Sequence, residues 1–162
     1  MATMQYDVKS IHMSASGLAV PFRTRLKAFD LFANSATAAQ SYFYDTNSVS
    51  ATYTRALTVV TVTFPSHNLF TNEWVHLDFT SGGALDGLYQ VTVVDLNTFT
   101  ITTVASGTIA TSNVTAYLNV LLILDSASVS NQSLLVPGEG ILARGGIQAV
   151  LAANHTATLY YG

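Results

Sequence analysis

The sequence predicts an all-β protein: a jelly-roll-like β-sandwich base built from both ends of the chain, with a small β-sandwich or barrel module inserted into it. Three observations carry this. Apolar and polar residues alternate with period two through most of the chain, and Val, Ile, Thr, Tyr and Phe fill the alternating runs. Those residues suit a pleated, half-buried surface. The runs recur roughly every 8–12 residues with turn formers between them, as in sandwiches and barrels. Finally, 49% of the 162 residues are hydrophobic and only 9% charged, against about 25% charged in an ordinary globular domain, which fits equally a β protein coated with Ser, Thr and Asn or a subunit that hides much of its surface against neighbours.

The stretch up to about Ser48 is mixed. Within it, Ser35 to Gln40 has some helical flavour, but an isolated helix of that length is marginal in water, so a loop between two strands is expected. From Val49 to Thr115 the alternation is dense. Thr58 to Phe64, Trp74 to Phe79, Leu88 to Val94 and Thr98 to Thr102 each read as strands. Ser81-Gly82-Gly83 and Asp86-Gly87 suit positive φ, and Asp95-Leu96-Asn97 reads as a short hairpin loop. From Ala116 onward apolar runs return, with strands expected at Ile147 to Leu151 and Thr156 to Tyr161. Pro137-Gly138-Glu139-Gly140 reads as a tight reversal, because Pro pre-sets φ and Gly accepts the left-handed region. Polar joints rich in Ser, Thr and Asn lie at Thr46 to Thr54 and Ala105 to Thr115. The expected organisation is a base from residues 1–48 and 116–162 and an insert from 49–115. Insertion at an exposed loop tip disturbs few contacts, and it costs little closure entropy when the ends of the insert lie together.

Composition narrows the function classes. Six basic and nine acidic residues give a net charge of −3 with no cluster of either sign. A nucleic-acid partner is therefore not expected, since phosphate neutralisation needs a basic patch. The longest apolar stretch, Val120 to Leu124, is far short of the ~20 residues of a spanning helix, and no membrane partner is expected. Without cysteine there are no disulfides, thiolate nucleophiles or thiolate metal sites. Four histidines are present, His12, His67, His76 and His155. His76 and Asp78 lie two apart on one strand and could share an ion with His67, although polar residues on the exposed face of an alternating strand account for them more simply. No Gly-x-Ser-x-Gly elbow surrounds any serine. The only glutamates, Glu73 and Glu139, fall in expected turns rather than in a cleft suited to glycoside cleavage. Pro137 to Gly140 lacks the Gly-Lys-Ser/Thr ending of a phosphate loop. No enzyme, cofactor or metal is expected. Tyr42-Phe43-Tyr44 and Tyr160-Tyr161 are expected to pack a core at the sandwich edge, with a subunit interface or carbohydrate contact as alternatives.

Two segments resemble known proteins. His67-Asn68-Leu69, Asn72-Glu73-Trp74-Val75-His76-Leu77-Asp78-Phe79, Asp86-Gly87-Leu88-Tyr89-Gln90-Val91 and Asp95-Leu96-Asn97-Thr98-Phe99-Thr100-Ile101 together resemble a small β module of phage virion proteins. That module reads H-G-L, then D/N-G-x-Y-x-V, then D-x-N-T-F-T-V. Asn68 stands where Gly is usual, which a left-handed turn position tolerates. Leu134-Leu135-Val136-Pro137-Gly138-Glu139-Gly140-Ile141 and the run to Tyr160-Tyr161-Gly162 are similar to the end of short β proteins of tailed phages, marine ones in particular. Arg23-Thr24-Arg25-Leu26-Lys27 fits the front half of those proteins. The resemblance implies a virion structural protein. The expected role is a capsid decoration or cement subunit, attached to the major capsid protein or another virion protein on the head surface through its base, with the insert projecting outward. A homo-oligomer is expected, a trimer suiting capsid three-folds. The alternative is a tail or fibre component that binds a host receptor through the insert. Arg23, Arg25 and Lys27 alternate along one strand side, either as a solvated face or as contacts to an acidic neighbour. With Tyr6 and Lys9 of the extended N-terminal arm (Ala2 to Ser10), they are the expected partner contacts.

Overall fold

The computed structural model describes residues 7–34, 37–126 and 129–162, and among these there is no helix. The strands are β1 (Lys9–Met13), β2 (Gly17–Val20), β3 (Thr24–Ala33), β4 (Ala39–Asp45), β5 (Val49–Thr63), β6 (Trp74–Asp78), β7 (Gly87–Gln90), β8 (Thr92–Asp95), β9 (Thr98–Tyr117), β10 (Val120–Ser126), β11 (Ser130–Leu135), β12 (Ile141–Ala143), β13 (Ile147–Val150) and β14 (His155–Tyr161). They fall into two compact units, Met1–Asn47 with Leu121–Gly162, and Ser48–Val120. The second crossing between units comes a few residues later than the composition indicates, because β9 stays paired with β6 as far as Tyr117.

The base is a two-sheet sandwich. One sheet runs β1-β14-β3-β11, with β12 also on β3, and the other runs β10-β4-β13-β2. With β11 and β12 counted as one interrupted strand, the first strand pairs with the last, the second with the seventh, the third with the sixth and the fourth with the fifth. That pattern is a ribbon of paired strands rolled up on itself, a jelly roll. The insert leaves the base between its fourth and fifth strands, at the far end of the ribbon.

Period-two alternation builds the base core. Leu26, Phe29 and Leu31 of β3 and Leu159 of β14 meet Val20, Phe43, Ile147 and Ala149 from the other sheet. The spacing from Leu26 to Phe29 breaks the alternation once, where the pairing with β14 slips between Tyr160 and Tyr161. An extra residue of this kind bends a strand and increases its twist.

Pro137 to Gly140 does not reverse the chain. β11 and β12 both run antiparallel to β3, with Leu135 opposite Ala28 and Ile141 opposite Leu26, so the strand continues on its heading after an excursion. Gly138 (φ 66) and Gly140 (φ 82) supply the left-handed conformations that allow it. A Cβ on Gly140 would collide with the Leu26 carbonyl oxygen.

Polar groups inside the base are fully used. Asp45 is buried, and its carboxylate accepts three backbone N–H bonds, from Asn47 (3.0 Å), Gly145 (2.8 Å) and Arg144 (2.7 Å). His155 is also buried and links the two sheets, with Nδ1 2.8 Å from Ser41 Oγ on β4 and Nε2 3.1 Å from Ser126 Oγ on β10.

The insert is one curled sheet. β9, 20 residues long, pairs with β5 from Val49↔Ala116 to Thr63↔Thr98. Its start also pairs with β8 and its end with β6, while β6 pairs with β7 and β7 leads directly into β8. The sheet therefore closes nearly into a barrel around Tyr53, Val60, Val62, Val75, Leu77 and Phe99. Tyr53 is buried, and its hydroxyl donates to the Ser81 carbonyl at 2.6 Å.

Asp45→Ala should destabilise the base by about 2 kcal/mol, because three part-buried backbone N–H groups lose their charged acceptor. Chemical denaturation checks this. A variant as stable as the parent would mean that the loop around Gly145 is held by something else.

Candidate functional site

The described residues hold no group of three or more His, Asp or Glu placed to bind a metal. His67 does not join His76 and Asp78. It is buried, Nδ1 accepts the Leu69 N–H at 3.0 Å, and Nε2 contacts the Asp95 carbonyl at 2.8 Å. That pair of partners selects the Nε2–H tautomer, which donates to Asp95. The local chain follows the same logic. Asn68 takes the left-handed conformation (φ 53) that its place in the turn requires, and Asn97 donates to the Asp95 side chain at 2.7 Å while its own carbonyl accepts from Phe64.

His76 lies against Tyr117, with ring centres 5.5 Å apart. Burial lowers its pKa below the ordinary 6.5, and Asp78 and Asp86 oppose that shift only in part. Burial likewise raises the hydroxyls of Tyr89 and Tyr117.

Ser41, His155 and Ser126 form a constellation that serine and histidine spacing does not announce, since the three residues come from three distant strands. Ser41 Oγ also accepts the Ala152 N–H at 3.0 Å, and Ser126 Oγ donates to the Ala39 carbonyl at 3.4 Å. Both imidazole nitrogens are engaged, so the ring is a cross-sheet tie.

The expected contact residues separate. Tyr6 and most of the arm before Asp7 lie outside the described residues. Lys9 is exposed on β1 and Arg23 is exposed just before β3, and neither side chain has a partner among the described residues. Arg25 and Lys27 are engaged within the chain instead. Arg25 donates to the Gly140 carbonyl at 3.2 Å and pairs with Glu139 at 3.2 Å, and Lys27 donates to the Glu139 carbonyl at 2.9 Å. Their alternation serves to clasp the Pro137 to Gly140 excursion. The ion pair is open to solvent, so it contributes well under about 1 kcal/mol. Of the aromatic clusters, Phe43 is core, and Tyr42 and Tyr44 are buried and stacked at 6.2 Å. Tyr160 donates to Asp30 at 3.0 Å, which raises its pKa.

Two surface features remain on the base. A groove of about 470 Å³ runs between Tyr160, Asp30 and Lys27 on one side and Leu135, Pro137 and Val8 on the other. Along it lies β11, the last strand of its sheet, with Leu134 48% and Leu135 75% exposed. β11 (Ser-Asn-Gln-Ser-Leu-Leu) carries neither charge nor proline.

The insert has two features of its own. Arg55, its only Lys or Arg, has Nε and Nη1 buried without a hydrogen-bond partner, and its guanidinium lies over Gly107. A second groove of about 470 Å³ lies against Trp74, Gln90, Thr92, Thr100 and Thr102.

No protein-family model matches this chain, and no curated protein matches it in sequence.

The pH dependence of the insert follows from His76. A histidine whose folded pKa is lowered binds fewer protons when folded than when unfolded. Stability is therefore complete above pH 6.5 and falls as pH drops from 6.5 toward the folded pKa. His76→Gln should flatten the dependence of the unfolding midpoint between pH 7 and about 5. An unchanged slope would assign that dependence to other groups.

Proposed function

We propose that the protein is a non-enzymatic structural subunit of a tailed-phage particle, a decoration or cement protein that attaches to the head shell through its base. The observation that carries this reading is the β11 edge. An edge strand offers unpaired N–H and C=O groups to any passing chain, and proteins that stay alone blunt such edges with charge, proline or a covering segment. β11 has neither charge nor proline, and it adds two exposed leucines beside an open groove. A surface of this kind suits permanent burial against a neighbouring subunit, where charge is depleted.

The low charge content of the whole chain agrees with such burial. The jelly roll itself is shared by capsid proteins, lectins and cupins, so it supports the setting by analogy only. The two sequence resemblances to phage virion proteins supply that setting. Lys9 and Arg23 remain candidates for contact with an acidic partner. A cement subunit stabilises what it binds by mass action, more strongly when one copy bridges two shell subunits.

The second reading is a tail or fibre component, favoured by the open groove on the insert. Copy number per particle separates the two, in hundreds for a decoration protein and a handful for a tail protein.

The test is a pair of surface variants, Leu134→Lys and Leu135→Lys, measured by light scattering after size exclusion and by co-sedimentation with shells lacking the protein. Both should fold normally, with any stability change within about 0.5 kcal/mol. Both should shift the protein toward monomer and weaken shell binding by at least roughly tenfold. A parent protein that is a stable monomer without affinity for shells would remove the proposal.

A further inference from the structure

The outer face of the curled insert sheet carries an open groove whose chemistry is unlike that of the base. Trp74 on β6 stands opposite Gln90 on β7, and Thr92 on β8 stands opposite Thr100 on β9, with Thr102 following along β9. The groove volume, about 470 Å³, falls within the usual span of small-ligand sites, ~300–1,000 Å³.

Trp74 is the only tryptophan in the chain, and it is 38% exposed although the insert core lies one residue away at Val75. Its indole N–H has no acceptor among the described residues, and the hydroxyls of Thr92 and Thr102 have no side-chain hydrogen bond there. Gln90 donates its amide N–H to the Asn72 carbonyl at 3.1 Å, which fixes the side chain, and its amide oxygen has no hydrogen bond among the described residues. Thr100 donates to the Thr92 carbonyl at 3.4 Å. None of the residues lining the groove is charged.

The combination selects a ligand class. An exposed indole face attracts the slightly positive C–H groups of a flat, partly apolar ring. The unpaired hydroxyls, amide oxygen and indole N–H want a partner dense in both donors and acceptors. An apolar peptide would bury those groups unpaired at a cost. Nucleic acid would bring phosphates to a surface without cations, and an acidic sugar would bring a charge with no counter-ion. We infer that this groove binds a neutral saccharide, with one sugar ring stacked on Trp74 and its hydroxyls bonded to Gln90, Thr92 and Thr102. The site is separate from the β11 edge, so it holds for a head or a tail location, and either proposal can fail without the other.

Trp74 supplies its own readout. The full-length protein is titrated with neutral tetrasaccharides of glucose (α- and β-linked), mannose and N-acetylglucosamine while indole emission is recorded. A glycan array carrying neutral and acidic structures is probed in parallel. At least one neutral glycan should change the emission saturably, with an affinity on the order of millimolar or tighter. In calorimetry with that glycan, Trp74→Ala and Thr102→Val should each weaken binding roughly tenfold, and Trp74→Phe less. Both altered positions are at the surface, and Thr102→Val preserves shape, so unchanged thermal unfolding certifies the fold. Three results would each overturn the inference: no neutral glycan bound on either platform, binding confined to sialylated or sulfated glycans, or affinity unaffected by Trp74→Ala and Thr102→Val together.

Discussion

The base depends on β14 lying between β1 and β3. Its residues pair on one edge with Lys9 to Met13 and on the other with Leu26 to Ala33. Gly162, the last residue, exchanges two backbone hydrogen bonds with Arg25. Until the C-terminal strand is seated, β1 has no neighbour in its sheet, and Ala157 and Leu159 are missing from the core. His155, at the head of the same strand, then ties its sheet to Ser41 and Ser126 of the facing sheet. Nearly all of this joins residues more than a hundred positions apart, so loop-closure entropy must be overcome before any contact compensates it. Topologies of that kind fold slowly.

The rolled ribbon also explains how a whole second unit is accommodated. Its fourth and fifth strands meet at the far end of the ribbon, where an ordinary jelly roll has a short turn. The insert enters at β5 and leaves at β9, and Val49 is paired with Ala116. An inserted unit whose ends are already adjacent acts as a turn, and it adds almost nothing to the closure entropy of the base. Charge follows the same division. The insert sets Arg55 alone against Glu73, Asp78, Asp86 and Asp95, while acids and bases balance in the remainder. The net negative charge of the protein is therefore a property of the insert.

Alternation made the strands and the insertion legible, because side-chain period is fixed by the pleat whatever the partner strand. It could not reveal where a strand changes partner. Leu88 to Val94 reads as one run, yet it breaks at Val91, whose N–H bonds to Glu73 and whose carbonyl accepts from Asn72 before the chain passes to β9. Ala105 to Thr115 reads as a polar joint. It is the middle of β9, because threonine is a good strand former and β5 satisfies the backbone on one side. Pro137 to Gly140 carries reversal signals and makes an excursion instead, since local φ preferences permit both and β12 pairs with β3, a strand distant in sequence, just as β11 does. For the same reason Arg25 and Lys27 were only half legible. Their alternation showed a shared face, while Glu139, their partner, lay more than a hundred residues away. Among the surface features, Trp74 was visible as a strand residue, but its neighbours in the groove come from three other strands.

Polar groups in this protein divide by depth, and the division bears on what kind of work the chain does. Inside, Asp45, His67 and His155 have their hydrogen-bonding positions taken by partners in the chain itself. A buried group so occupied rigidifies the fold. Two buried nitrogens of Arg55 are the exception inside, and the rest of the unmet capacity lies at the surface: the backbone edge of β11 and the indole, amide and hydroxyl groups around Trp74. Chemistry on a substrate needs reactive groups converging in a water-excluding cleft. Recognition needs the opposite arrangement, a rigid interior that presents unsatisfied groups outward. The two proposals rest on different units of the chain, the β11 edge on the base and the Trp74 groove on the insert.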